Sequence, residues 1–318
     1  MKVRHSGVRV LRLLFWLGKP RFAILAVKLA GVMFGVLVAV TVLVGVEAEA
    51  AFAIPTDEFN VFYDCPLSVI ELSACVNAKV DSGEIVLGKE TVPLKMPLTL
   101  RGGFIENEET GALAFVGATD GETLSKAPEN VPGGLAGLVR CGEIGGYTQR
   151  TSCEQVFTHD LTRVSATTEL AGPASAIKLD LAHMLQEVGV GISLPIKVRL
   201  ESPFLGSNCY IGSDAHPIVL SMTDGGTSPS PPNRPIRGIL GKISTVGEGF
   251  ILQIAGAEFV SDEFGAPVAT GCGGALSAVI DGIINSKLGL PSPVGRNEAI
   301  FGMTYQQAGV ERVREYDQ

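Results

Sequence analysis

Apolar and polar positions alternate over many short runs of this chain, the pattern of strands with one face in a core and the other in water. Residues 59–64 (FNVFYD) read as a first strand. Residues 76–88 (VNAKVDSGEIVLG) read as two strands about a Ser-Gly turn, with Val76, Ala78 and Val80, then Ile85 and Leu87, on one face. Residues 97–104 (PLTLRGGF) and 111–121 (GALAFVGATDG) continue the pattern, and Asp120-Gly121 marks a turn. Strand patterning resumes at 164–172, 175–181, 192–202, 217–226, 237–244, 249–262 and 298–307. Two stretches have room for brief helix, 128–139 and 182–190. The best helix candidate is 274–290, where Leu276, Val279, Ile280, Ile283, Ile284 and Leu288 recur at three- and four-residue steps before a Pro-Ser-Pro stop. No internal repeat stands out.

These elements predict a mainly β protein, an antiparallel sandwich or barrel-like domain with one C-terminal helix. It is preceded by an N-terminal hydrophobic leader helix, since residues 29–46 (LAGVMFGVLVAVTVLVGV) are uncharged and mostly apolar. Residues 227–235 (TSPSPPNRP) read as an exposed extended segment with no core of its own. The expected organisation is a leader over 1–53, one disulfide-linked domain over 54–306, and a charged, frayed tail over 307–318.

The leader has a basic flank, an apolar run and two small-x-small sites, Ala48-Glu49-Ala50 and Ala51-Phe52-Ala53, the layout of a secretory signal peptide. Its basic segment is long, and an uncharged run of 18 residues also approaches the length of a membrane anchor. The A-x-A sites favour cleavage. Under either reading the basic flank stays inside and the rest of the chain lies outside the cytoplasm, touching membrane only through an uncleaved leader.

Of the 318 residues, 46% are hydrophobic and 18% charged, so a large core is available. The 39 glycines and 18 prolines suit short strands joined by tight turns. Residues 1–50 hold seven of the 25 Lys/Arg and two of the 33 Asp/Glu, which leaves 18 basic and 31 acidic residues beyond them, a net of −13. An acidic body without a basic stripe excludes nucleic acid as the expected partner.

All six cysteines fall in the exported part: Cys65, Cys75, Cys141, Cys153, Cys209 and Cys272. An even count in an exported chain reads as disulfides. Six cysteines allow 15 pairings, and spacing suggests Cys65–Cys75, Cys141–Cys153 and Cys209–Cys272. Without a C-x-x-C, and with His159 six residues past Cys153 as the nearest histidine, no metal is expected.

Catalytic patterns are weak. His159-Asp160 reads as two polar loop residues, His183 as a half-buried packing residue among Leu181, Ala182 and Leu185, and His216 as extended before Pro217. Asp81-Ser82-Gly83 resembles half of an aspartic-protease dyad, but no second D-[ST]-G exists, and a hairpin turn accounts for it. No nucleophile elbow or phosphate loop is present, and no cofactor is implied. Sugar-binding modules usually present aromatic faces, and the single Trp, Trp16, sits in the leader.

The segments 131–138 (VPGGLAGL), 201–213 (ESPFLGSNCYIGS), 217–238 and 271–300 (from GCGGALSAVIDG onward) resemble a family of exported proteins of unknown function from high-GC Gram-positive (actinobacterial) bacteria. That resemblance implies export and an envelope setting, and it makes the Cys209/Cys272 pair a family feature. The expected function is a secreted or envelope-attached structural or interaction module without catalysis, its partner an envelope component or protein. The alternatives are a hydrolase of envelope polymers acting through an unmarked carboxylate pair, and a carrier with an apolar cavity.

Overall fold

Strand β1 (Ala74–Leu87) is the longest among the described residues and runs through the middle of the first sheet. The computed structural model describes residues 56–107, 109–132, 134 and 163–317. In it β1 pairs antiparallel with β3 (Leu98–Glu106) on one side and β14 (Glu298–Gly309) on the other. Beyond β14 come β12 (Ile251–Ser261) and β11 (Lys242–Val246), and beyond β3 comes β4 (Leu113–Gly117). Strand β2 (Glu90–Pro93) folds back on the second half of β1.

The second sheet is built on β8 (Ile192–Glu201). Its neighbours are β6 (Ser165–Leu170), β9 (Tyr210–Ile211), β10 (Ile218–Met222) and β7 (Lys178–Leu179), all antiparallel. The short strands β5 (Pro128–Asn130) and β13 (Ala269–Thr270) close its edges on β6 and β9. The two sheets share one core: Ala78, Val80, Phe301 and Met303 from the first meet Ile192, Leu194, Ile196 and Met222 from the second. The expected mainly β fold is therefore a sandwich. Alternation did the work, because residues two apart on a strand enter the same core. Two enclosed apolar voids within it measure about 30 Å³ each.

A smaller core lies on the outer face of the first sheet, where Cys75, Ile251 and Ala308 meet Phe59, Phe62, Val310 and Val313. It overturns two expectations. Residues 59–64 form no strand: helix α1 (Thr56–Phe59) runs into a 3-10 turn (Asn60–Phe62), and Phe59 and Phe62, three apart, are the buried pair. The tail is likewise ordered. Strand β14 continues to Gly309, and a helix (Val310–Tyr316) follows. Its Val310 and Val313 are buried, Tyr316 stacks on Phe59 at 5.4 Å, and Arg314 donates to the carbonyls of Leu67 and Val69 at 3.2 and 3.0 Å.

Residues 76–88 are one strand, and the turn falls later. At Asp81 the register with β14 slips by one residue, a bulge. Gly83 follows at φ 140, where an added Cβ would stand 1.9 Å from the Ile300 carbonyl oxygen. Asp81-Ser82-Gly83 thus bends a continuous strand, and the hairpin turn is Gly88-Lys89, between β1 and β2. The proline-rich stretch is tied along its length. Ser228 N donates to Glu263 at 2.8 Å, and Asn233 Nδ2 donates to the Asn297 carbonyl at 2.8 Å.

Two helices complete the second half of the fold. Helix α2 (Leu181–Gln186) matches the expected short helix, and α3 (Ser277–Leu288) matches the main one; the C-terminal helix is thus α4. The apolar stripe of α3 is divided, however: Ile284 and Leu288 are buried, while Val279 and Ile283 are exposed. Among the described residues no helix is long and apolar enough to cross a membrane. The leader, the pair Cys141 and Cys153, and His159-Asp160 lie outside the described residues.

Candidate functional site

A groove of about 930 Å³ opens at one end of the sandwich, where the start of β4 faces β7 and α2. Antiparallel register sets one wall. Ser193 of β8 stands opposite both Lys178 of β7 and Ser221 of β10. Their neighbours Leu179, Ile192, Leu194, Leu220 and Met222 occupy the core, so this polar row faces outward.

Asp180, at the end of β7, caps α2: its Oδ1 accepts from the His183 backbone N at 2.9 Å. Its Oδ2 lies 3.3 Å from His183 Nδ1, which is also 3.2 Å from the Val190 carbonyl oxygen. His183 is therefore not a packing residue. Its side chain is 47% exposed and bridges a cap to a loop. With Nδ1 turned toward two oxygens, Nε2 is the nitrogen left for other chemistry. Among the described residues neither Ser193 nor Ser221 is hydrogen-bonded to the ring. His216 closes a tight turn, its backbone paired with that of Ser213, so the expected extended run begins only after it.

Several polar side chains sit deep in the fold. Asp224 is 1% exposed, and its Oδ2 has no hydrogen-bond partner. Burial raises its pKa to about 6; nearby Glu187 adds to the rise, while a backbone hydrogen bond and Arg237 oppose it. Glu187 and Arg237 form an ion pair of 2.6 Å over the turn that Asp224 begins. Gly225 in that turn is required, because a Cβ there would stand 2.1 Å from the Glu187 carbonyl oxygen. Asp262 is fully buried, and Thr227 donates to its Oδ2 at 2.8 Å. Burial pushes Asp262 up, and Glu263 adds to the effect.

Asn297 is fully buried and joins four segments. Its Oδ1 accepts from Gly88 N at 3.0 Å, its Nδ2 donates to the Phe264 and Pro293 carbonyls at 2.9 and 3.0 Å, and its own carbonyl accepts from Asn233. Sequence reading passed over Asn297 and Asp180, and took Asp224 only as part of an Asp-Gly turn ending a strand. Of the first two, only the Asp180 N-cap before an apolar run had a local signal. Among the described residues no group of three or more His, Cys, Asp or Glu is placed to hold a metal.

The cysteines stand as spacing suggested where they are described. Cys65 bonds to Cys75 and Cys209 to Cys272, with Cα–Cα distances of 5.6 and 4.1 Å. The first pins the α1 segment onto the outer face of the first sheet. The second joins the loop after β8 to the turn before α3. There Asp281 accepts from Cys272 N at 2.7 Å and from Gly271 N at 3.2 Å.

Farther along β8, the outer face of the second sheet carries ion pairs. Arg199 meets Glu169 at 3.1 Å and Glu201 at 3.3 Å, and Lys197 meets Asp214 at 2.7 Å. No family model, curated protein or solved structure matches the chain.

Proposed function

We propose that the protein is exported and works at or outside the cell envelope as an interaction module, holding a polar envelope component in the groove between β4 and α2. The observation that carries this reading is the groove itself. Its volume of about 930 Å³ is of ligand size, and its wall carries hydroxyl, ammonium, imidazole and carboxylate groups from Ser193, Ser221, Lys178, His183, Asp180 and Glu106. Two buried disulfides support an oxidising setting, as do the leader pattern and the resemblance to exported proteins. A carrier for apolar ligands is less favoured, because voids of about 30 Å³ hold little more than a water molecule or two.

Fractionation of a producing cell tests the location, with the protein expected in envelope or medium. Isolated envelope is then expected to retain the protein, and Lys178→Ala with Ser193→Val to release it. Recovery in the cytoplasm with free thiols would end the reading.

One observation favours a second reading. Asp180 orients His183 in the groove that Ser193 and Ser221 also line, and a histidine held this way can accept a hydroxyl proton. Hydrolysis of ester or amide substrates that His183→Ala abolishes would establish it in place of the first.

A further inference from the structure

The outer face of the first sheet differs from that of the second. Register aligns five polar side chains across five neighbouring strands. Asn77 of β1 stands opposite Arg101 of β3 and Gln306 of β14, Gln306 stands opposite Gln253 of β12, and Gln253 stands opposite Ser244 of β11. Adjacent core residues Ala78, Leu100, Tyr305 and Ile254 fix the row outward. A second row runs beside it, Lys79 opposite Thr99 and Thr304.

The amides hold one another in place. Asn77 Nδ2 donates to Gln306 Oε1 at 3.5 Å, and Gln306 Nε2 donates to Gln253 Oε1 at 3.0 Å. Asn77 is buried at 7% exposure and steadies the row, whereas the half-buried Gln306 and Gln253 each use a fraction of their four hydrogen-bonding positions and keep the rest. At the β3 end the row runs into a recess of about 400 Å³, floored by Asn77, Lys79 and Thr99 and overhung by Asn60, Val61 and Tyr63. Tyr63 is 72% exposed, yet it does not swing free. Its hydroxyl accepts from Arg101 Nη1, and the guanidinium lies 5.1 Å from its ring centroid. Arg101 is held in turn by Asp64, and by Asp120 at 3.3 Å.

We propose that this face binds a neutral glycan chain, laid across the strands with one sugar against the Tyr63 ring and the next ones along the amide row. A sheet surface that merely faces water needs polar side chains. It does not need amides in one register, sunk beside an exposed aromatic ring whose hydroxyl is anchored. A sugar needs those things: C–H groups pack on an aromatic face, and hydroxyls are matched by groups that both donate and accept. Charge points the same way. Lys79 is paired with Asp81 at 2.7 Å and Arg101 with its two carboxylates, so no unpaired cation in the recess seeks an acidic ligand. Amides recur on three adjacent strands, β1, β14 and β12, at a step of about 4.8 Å, close to what one pyranose ring adds to a chain. This surface is separate from the groove and does not depend on it.

Affinity electrophoresis tests the proposal. The exported protein is run through gels cast with dextran, galactomannan or mixed-linkage glucan, and through a gel cast with polygalacturonate. At least one neutral polymer is expected to retard it, and polygalacturonate is not. Gln306→Ala and Gln253→Ala should each weaken the retardation about threefold to tenfold, and Tyr63→Ala at least as much. Lys197→Ala, on the second sheet, should leave it unchanged. If an alanine variant melts early, Gln306→Glu keeps the side-chain shape and should weaken binding as well. No retardation by any neutral polymer, equal retardation by polygalacturonate, or unchanged retardation of the folded variants would overturn the proposal. Envelope retention that survives these substitutions leaves the groove reading standing on its own.

Discussion

Removing the Cys209–Cys272 bond by a double alanine substitution should be the most destabilising loss of a cross-link among the described residues. The bond closes a loop of 63 residues, whereas Cys65–Cys75 closes one of 10. Loop-closure entropy then gives about 4.3 kcal/mol for the first and about 2.7 kcal/mol for the second. Both Cys209 and Cys272 are fully buried, so the double variant also leaves a void that adds to the loss. At about 2–4 °C per kcal/mol for a domain of this size, the expected fall in Tm is about 9–17 °C. Urea unfolding followed by circular dichroism supplies the free energy and the slope m. An entropic origin also requires m to rise, because the unconstrained unfolded chain exposes more surface. A loss under about 1.5 kcal/mol, an unchanged m, or a larger loss from Cys65→Ala with Cys75→Ala would refute this account.

Three further outcomes follow from buried groups. Asn297→Ala leaves the Gly88 N–H and the Phe264 and Pro293 carbonyls without their partner, and should cost about 2–4 kcal/mol in the same urea assay. Asp224 has a folded pKa raised from 3.8 to about 6, so the folded state holds its proton more tightly; the stability this contributes is present below about pH 4 and lost as pH rises to about 6, at most about 3 kcal/mol. Asp224→Asn should therefore melt above the wild type at pH 7, and that advantage should shrink from pH 6 to pH 4; a constant difference would count against a titrating Asp224. Val313→Ala in α4 should cost about 2 kcal/mol, measured by thermal melting, whereas a frayed tail would give no change.

How much of this was legible depends on how far apart the deciding residues lie. In 192–202 the alternation of Ile192, Leu194, Ile196, Val198 and Leu200 marks a strand from within itself, and β8 stands there. The 14 residues of β1 were split because Ser-Gly is a local turn signal. The bulge that absorbs it is fixed by pairing with β14, more than 200 positions away. The tail offered Ala308, Val310, Val313 and Tyr316 scattered among charged and polar residues. Their burial depends on Phe59 and Phe62 at the other end of the described chain, so local hydropathy read it as frayed.

The same distance separates what could be found of the functional surfaces from what could not. Cysteines are few and pair only with one another, so the Cys209–Cys272 bond could be guessed from a count and a spacing. An amide can partner almost any polar group, and each member of the outer row looks locally like an ordinary solvent position. Gln253 and Gln306 are 53 residues apart, and Asn77 and Gln306 are 229 apart; register alone brings them into line. Tyr63 shows the same limit: with Trp16 in the leader the chain seemed poor in aromatic platforms. What makes Tyr63 one is its anchoring by Arg101, which depends on the Cys65–Cys75 bond holding the preceding helical segment over the sheet. The smaller disulfide therefore matters to the proposed glycan face more than its loop length suggests. Cys65→Ala with Cys75→Ala should weaken glycan retardation about as much as Tyr63→Ala does, at temperatures where the sandwich is still folded. Retention of full binding in that variant would show that the aromatic platform is held by Arg101 alone.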